Sequence, residues 1–289
     1  MTALTCEVEM NSRHTLSTVP SDTIKTARSI LGRENFYLKV GDNWDSLLAG
    51  AHASKSENGG GSQDWMFPTL AVATILQYKE KLSDRQAEEA SRLRVDWKYA
   101  LHLSMHYPGL SRMMLCKYRQ QVYHNYAWQE EFQAILDGFF THGLIDECQE
   151  PHLFALGLLD EVCSQSRLEE VILAQRRALE ALAINYPKWL RNIIQPNWYA
   201  RYHLFKATPD QPYTTHELTV MAETIGADIV YLFKAIAQCD LPGLGDLEEI
   251  KALQQVWHEQ FELAGNGGAR RLLRCSFCGS LKTGGGMGG

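Results

Sequence analysis

The strongest constraint on the fold is a long helical stretch from Pro151 to about Tyr186. Leu153, Leu156, Leu159 and Val162, then Leu168, Val171, Ile172, Leu179 and Leu182, give it an apolar stripe at helix spacing. The flanking sequence carries the same period. Thr69 to Leu82 holds Leu70, Ala73, Ile75, Leu76 and Tyr78 in a helical pattern. Ser83-Asp-Arg-Gln86 fits a capping box, and Ala87, Ala90 and Leu93 follow it. Tyr107-Pro108-Gly109 reads as a turn, and Ser111 as the cap of a helix with Met114, Leu115, Tyr118 and Val122. Trp128 to Phe139 is a further helix, with Gly143 suited to its end. Thr214-Thr-His-Glu217 is a second capping-box match, opening a helix that runs through Leu218, Ile225, Ile229 and Ile236. Leu247 to Leu263 gives the last. Strand-like alternation is almost absent, so the fold class expected is all-α, a multi-helix bundle.

Four parts are expected. Residues 1–64 read as a poorly structured leader ending in the polar Gly/Ser linker Ser54 to Ser62, with short apolar pieces at Ile30-Leu31 and Trp44 to Leu48 that add at most a small helix. Residues 65–145 and 146–264 form two helical domains, and 265–289 a disordered, basic, Gly-rich tail. With 45% hydrophobic residues, seven Trp and twelve Tyr, the chain has ample core material, which excludes wholesale disorder. No apolar run is long enough to span a membrane, the start lacks signal-peptide character, and the seven cysteines read as reduced thiols. A cytoplasmic, nucleoid-associated protein is expected.

The net charge of −6 excludes a uniformly basic nucleic-acid binder, but it is a sum of alternating blocks. Residues 91–119 hold six Lys/Arg against one acid, whereas 120–175 hold one Arg against ten acids. Residues 176–206 are net +5 and 207–265 net −8. In the first basic block, two helices around a turn, the second opening with Ser111-Arg112, have the arrangement of a helix-turn-helix reader. That pattern puts Arg112 near a groove, with Lys117 and Arg119 near phosphate. The alternative is that these cations are solvated faces of ordinary helices. The link from Asp96 to Leu110 is also longer than the usual turn.

Residues 68–145 carry a resemblance. Leu82-Ser-Asp-Arg-Gln-Ala-Glu-Glu-Ala90, Arg94-Val-Asp-Trp-Lys-Tyr-Ala-Leu101, Pro108-Gly-Leu and Leu115-Cys-Lys-Tyr-Arg119 resemble the InsH-like amino-terminal domain of bacterial insertion-sequence transposases of the DDE class. Similarity resumes at Ser166-Arg-Leu-Glu169, Ala178 to Ala183, Pro196-Asn-Trp-Tyr-Ala-Arg-Tyr202, Ile225-Gly-Ala-Asp228 and Val256 to Gln260. The resemblance implies binding of terminal repeats by the amino-terminal part. It also implies transposition by a ribonuclease-H-like domain with two Mg²⁺ on an Asp, Asp, Glu triad. Arg112 is then expected to contact a base, and Arg85, Arg92, Arg94, Lys98, Lys117 and Arg119 phosphates.

The likeness fails at the catalytic point. The family's first catalytic Asp would fall near Phe154, where no carboxylate stands; Asp160 is the nearest downstream, in a helix-surface context. From Gly265 the likeness ends before a second Asp or a Glu. No catalytic residue, metal ligand or cofactor is therefore assigned. The partners expected are double-stranded DNA and, through the acidic 120–175 block, a second copy or a full-length transposase. An alternative function is a helical protein–protein module that inhibits or assembles with such a transposase. Cys275-Ser-Phe-Cys278 is half a zinc knuckle whose zinc binding stays open. The Trp/Tyr cluster 189–202 reads as core packing, with base stacking as its alternative.

Overall fold

The computed structural model describes residues 18–52, 66–145, 151–203, 215–263 and 269–271. Helices α1 (Ser21–Ile30), α2 (Phe36–Asp42), α3 (Trp44–Leu47) and α4 (Ala49–His52) come first. They are followed by α5 (Met66–Glu80), α6 (Asp84–Leu93), α7 (Val95–Ala100), α8 (Arg112–His124) and α9 (Tyr126–Thr141). Next come α10 (Pro151–Asn185), α11 (Pro187–Ile193), a π-helical turn at Tyr199–His203, α12 (Thr215–Ala237) and α13 (Glu248–Gln260). A short antiparallel hairpin, β1 (Phe261–Leu263) with β2 (Ala269–Arg271), ends the described chain. The all-α expectation holds.

Two hydrophobic cores organise these elements. The first gathers α2 to α9 around α5, whose residues Phe67 to Gln77 are all buried. A helix apolar all round needs neighbours on every side, and α6, α8, α9 and α10 supply them. The second core packs α10, α11, α12 and α13 around Trp198, Ile225 and Ile229. One helix serves both. In α10, Leu158, Leu159 and Val162 belong to the first core, while Leu168, Val171, Ile172, Ala178 and Leu182 belong to the second. Its 35 residues span ~50 Å at the α-helical rise. The stripe that dominates the sequence is therefore an axle shared by two cores.

Local signals performed well. Ser83 caps α6 in a full capping box with Gln86, and the Ser111 hydroxyl accepts from the Met114 amide at the start of α8. Gly143, at φ 60°, follows α9, and the Leu144 amide returns to the Phe139 carbonyl. Trp198 and Tyr202 are buried in the second core, as packing predicted. Thr214, the linker Ser54 to Ser62 and the Cys275/Cys278 pair lie outside the described residues.

Three expectations need correction. Residues 18–52 are not a loose leader. Val40, Trp44, Leu47, Leu48 and Ala51 are buried in the first core, at successive helical spacings of three or four except for one single step. The Thr23 hydroxyl donates to the Leu103 carbonyl (2.8 Å), and Trp44 stacks on His102 at 4.4 Å between ring centroids. Second, the link between α6 and α8 is not a turn. It contains α7, in which Trp97, Tyr99 and Ala100 are buried, and then the loop 101–111. Third, the hairpin strand β2 lies inside the stretch expected to be a disordered tail. Gly226 of α12 makes room for it, since a Cβ there would stand 2.7 Å from Ala269 Cβ and 2.8 Å from the Phe261 ring.

Close approach also tests the first correction. A Cβ on Gly138 of α9 would lie 2.5 Å from the Leu47 carbonyl oxygen of α3. In an unpartnered helix Gly→Ala stabilises by roughly 0.5–1 kcal/mol. Here Gly138→Ala is expected to destabilise by about 1–3 kcal/mol through overpacking, measured by urea unfolding. A stabilised variant would show that α3 does not pack on α9.

Candidate nucleic-acid interface

The basic block divides by what its cations touch. Lys98 is buried, and its Nζ donates to the carbonyls of Met105 (2.7 Å), Tyr107 (2.8 Å) and Ser104 (3.3 Å). It ties down the loop before α8. Burial pulls its pKa below the usual lysine value, with Asp22 opposing. Arg119 is buried too, 1% exposed, with Nη2 on Asp84 Oδ2 at 2.5 Å and Nη1 near Gln77 Oε1 at 3.4 Å. Burial works against its charge, but Asp84 outweighs that and holds the guanidinium firmly protonated. Neither side chain faces solvent, so the phosphate role expected of these two is not open to them in this structure.

Arg85 and Arg94 are half-exposed and paired. Arg85 Nη2 meets Glu169 Oε1 at 2.6 Å and Nη1 meets Glu89 at 3.7 Å. Arg94 pairs with Asp96 (2.7 Å) and with Glu80, and its guanidinium lies 5.3 Å from the Tyr37 ring centroid. Burial opposes its charge, and hydrogen bonds to Asp96 and Glu80 reverse that, so its pKa sits above the ordinary arginine value. Glu80 also accepts from Tyr37 OH and Trp97 Nε1, both at 2.6 Å.

Three cations remain outward. Arg92 ends α6, and Lys117 projects from α8; both are exposed, and neither pairs with a carboxylate among the described residues. Arg112 is 64% exposed, with Nε 3.2 Å from Glu88 of α6. Lys117 shares a helix face with Met113, Gln121 and His124, all exposed at i, i+4, i+8 and i+11. No Asp or Glu occurs between Asp96 and Glu130, so α8 carries no acid at all. Gly109, at φ +100°, lets the loop before α8 pass close to α6, where a Cβ would meet Arg92 Cβ at 2.9 Å.

The structure joins the sequence pieces that carry the family likeness. In α6 the Ser83 hydroxyl donates to Glu169, Arg85 binds the same carboxylate, and the Asp84 amide donates to Ser166 Oγ at 2.9 Å. The segments Leu82 to Ala90 and Ser166 to Glu169 thus meet directly. In the second core Asp228 accepts from Arg201 and from Tyr202 OH (2.7 Å), and Trp257 Nε1 donates to the Gly226 carbonyl at 3.4 Å. The roles of Glu80, Glu169 and Asp228 are not evident from the sequence, because each acts across the chain on partners that no local spacing reveals. Phe154, near which the resemblance would place a first catalytic Asp, packs on Tyr78 and Phe140. Asp160 accepts from Tyr123 OH at 2.6 Å, and the described residues hold no group of three potential metal ligands.

Residues 27–121 match the family described as a transposase domain (DUF772). No curated protein and no solved structure matches the chain. The chain therefore carries a transposase domain, in agreement with its likeness to insertion-sequence transposases. The match begins within α1 and ends within α8, so it takes in α2 to α4, which pack on the first core. No helix among the described residues is long and apolar enough to cross a membrane.

Two measurements check this division. Arg119→Ala strands Asp84 in the interior and is expected to cost about 3–5 kcal/mol, whereas Arg112→Ala should shift stability by no more than about 0.5 kcal/mol in either direction; urea titrations of both variants would decide. Glu170 of α10, which accepts from Gln260 Nε2 at 2.9 Å, has its pKa raised by burial and by Glu259. The unfolded chain therefore loses this proton more readily. The contribution of Glu170 to stability is full below the ordinary carboxylate range and declines as pH rises through the raised folded value. Glu170→Gln should remove that decline and be the more stable protein at neutral pH. Parallel stability–pH curves for the two proteins would refute the assignment.

Proposed function

We propose that the chain is a transposase-derived protein that binds double-stranded DNA, of terminal-repeat or operator type, through the outward faces of α6 and α8. In this reading it lacks a nuclease site of its own. The observation that carries the reading is the division of cations inside the transposase domain. Lys98, Arg119, Arg85 and Arg94 are engaged by carbonyls and carboxylates, while Arg92 and Lys117 stay exposed without a carboxylate partner among the described residues and Arg112, 64% exposed, meets only Glu88 at the surface. Phosphates attract unpaired, hydrated cations without first having to break a buried pair. Arg112 remains the candidate for a base contact, and Arg92 and Lys117 for phosphate. The half-exposed Arg85 and Arg94 would reach phosphate only by sharing their carboxylates. Phe154 at the expected position of the first metal ligand, and the hydrogen-bonded surface setting of Asp160, support the absence of a nuclease site.

A second reading is assembly with a full-length transposase or a second copy. It draws on α9 and α10, where Tyr126 is 73% and Leu156 39% exposed among acidic residues. One experiment separates the two. Binding of the purified chain to a duplex bearing the flanking inverted repeats is measured at several salt concentrations. The expected log K against log[salt] line slopes downward, and Arg112→Ala with Lys117→Ala flattens it by about 0.9 for each phosphate that is no longer neutralised. A flat line for the unmodified protein would sink the DNA reading. Co-purification with an intact transposase, unaffected by Arg112→Ala, would favour assembly.

A further inference from the structure

A second acid-free window lies far from the transposase domain. No Asp or Glu occurs between Glu180 and Asp210, although Lys188, Arg191, Arg201, His203 and Lys206 fall there. The fold sorts its cations much as it sorts those of α6 and α8. Arg201 turns inward to Asp228. On α11, Leu190 is buried and Trp189 and Ile193 pack against the second core. That leaves Lys188, Arg191 and Asn192 exposed at i, i+3 and i+4, one outward face of two cations and an amide, with the exposed Gln195 just beyond the extended Ile194 that ends the helix. Neither Lys188 nor Arg191 pairs with a carboxylate among the described residues.

The orientation of this face is fixed by the core. Tyr186, at φ −135°, ends the run of α10, and its hydroxyl donates to the Pro242 carbonyl at 2.9 Å. Pro187 then starts α11 in a new direction. Beyond α11, Trp198 and Tyr202 turn into the core, while Tyr199 between them is 60% exposed. An outward group of Lys, Arg, Asn and Gln with a neighbouring exposed tyrosine is the side-chain set that hydrogen-bonds phosphate and sugar.

We infer that the outward face of α11, Lys188, Arg191 and Asn192, with Gln195 and Tyr199 beyond its end, is a second contact surface for a nucleic-acid phosphate backbone. The inference rests on the reading above in taking DNA as the partner, but it uses none of the same residues. Charge complementarity favours phosphate as the occupant. The other candidate occupant, an acidic face of a second copy, is an outcome of the test.

The test uses the full chain and a mixed-sequence duplex oligonucleotide, with anisotropy titrations at several NaCl concentrations. Lys188→Ala with Arg191→Ala is expected to reduce the salt slope by about 1.8, that is by about 0.9 for each neutralised phosphate. Lys188→Arg with Arg191→Lys is expected to keep the slope. Both pairs change exposed residues, and circular dichroism checks that the fold is unchanged. If the slope is untouched by the alanine pair yet falls for Arg112→Ala with Lys117→Ala, this inference fails and the α6/α8 reading survives. If only the α11 pair lowers it, the α6/α8 reading fails and this one stands. A flat slope for the unmodified chain overturns both. Loss of a dimer in sedimentation, with the slope unchanged, would assign the face to a protein partner and overturn the inference.

Discussion

The junction between α6, α8 and α10 holds the two cores in one chain. Asp84, Glu169 and Arg119 are charges brought into an interior that penalises each of them singly. Each is retained because another group answers it: Arg119 on Asp84, Arg85 and Ser83 on Glu169, Ser166 on the Asp84 amide. Such a cluster adds little net stability over an apolar equivalent, but it has few acceptable geometries. A slide of α6 along α10 would strand several partners at once. Apolar contacts alone tolerate such shifts, since one leucine replaces another at modest cost. The cluster therefore sets register where the leucine stripe of α10 supplies adhesion.

That distinction explains which parts of the fold were legible. The caps at Ser83 and Ser111, the stop at Gly143 and the long stripe of α10 depend on residues a few positions apart, and they read directly from spacing. The packing of α1 to α4 depends on Leu103, Tyr99 and His102, some sixty to eighty positions away, as in the Thr23 to Leu103 bond. Short helices of four and seven residues carry too little periodicity to announce themselves. α7 was hidden for the same reason, because its six residues are held by Glu80 and by burial of Trp97.

The candidate interface was legible only in part, because charge is visible in sequence and burial is not. For Arg119 a signal existed. It lies with Leu115, Tyr118 and Val122 on the buried stripe of α8, so its position on the helix already opposed a surface role. Lys98 offered no such signal. It stands between Trp97 and Tyr99 in a helix too short to show a face, and only the carbonyls of loop 101–111 reveal its task.

The residues that carry the family likeness are chiefly those that hold the molecule together. Ser83, Asp84 and Arg85 meet Ser166 and Glu169; Arg201 and Tyr202 meet Asp228; Trp257 meets Gly226. A motif of this kind reports architecture, because its members are fixed by one another. Groups that meet an external polyanion obey the opposite rule. They must remain outside, hydrated and without a carboxylate of their own, or the phosphate would have to displace a neighbour already in place. Lys117 beside one core, and Lys188 and Arg191 beside the other, satisfy that rule in windows where the chain has no acid, and Arg92 satisfies it by its exposed place on α6. The net charge of −6 is compatible with DNA binding for this reason: its acids lie elsewhere, or are engaged by the cations that the fold keeps for itself.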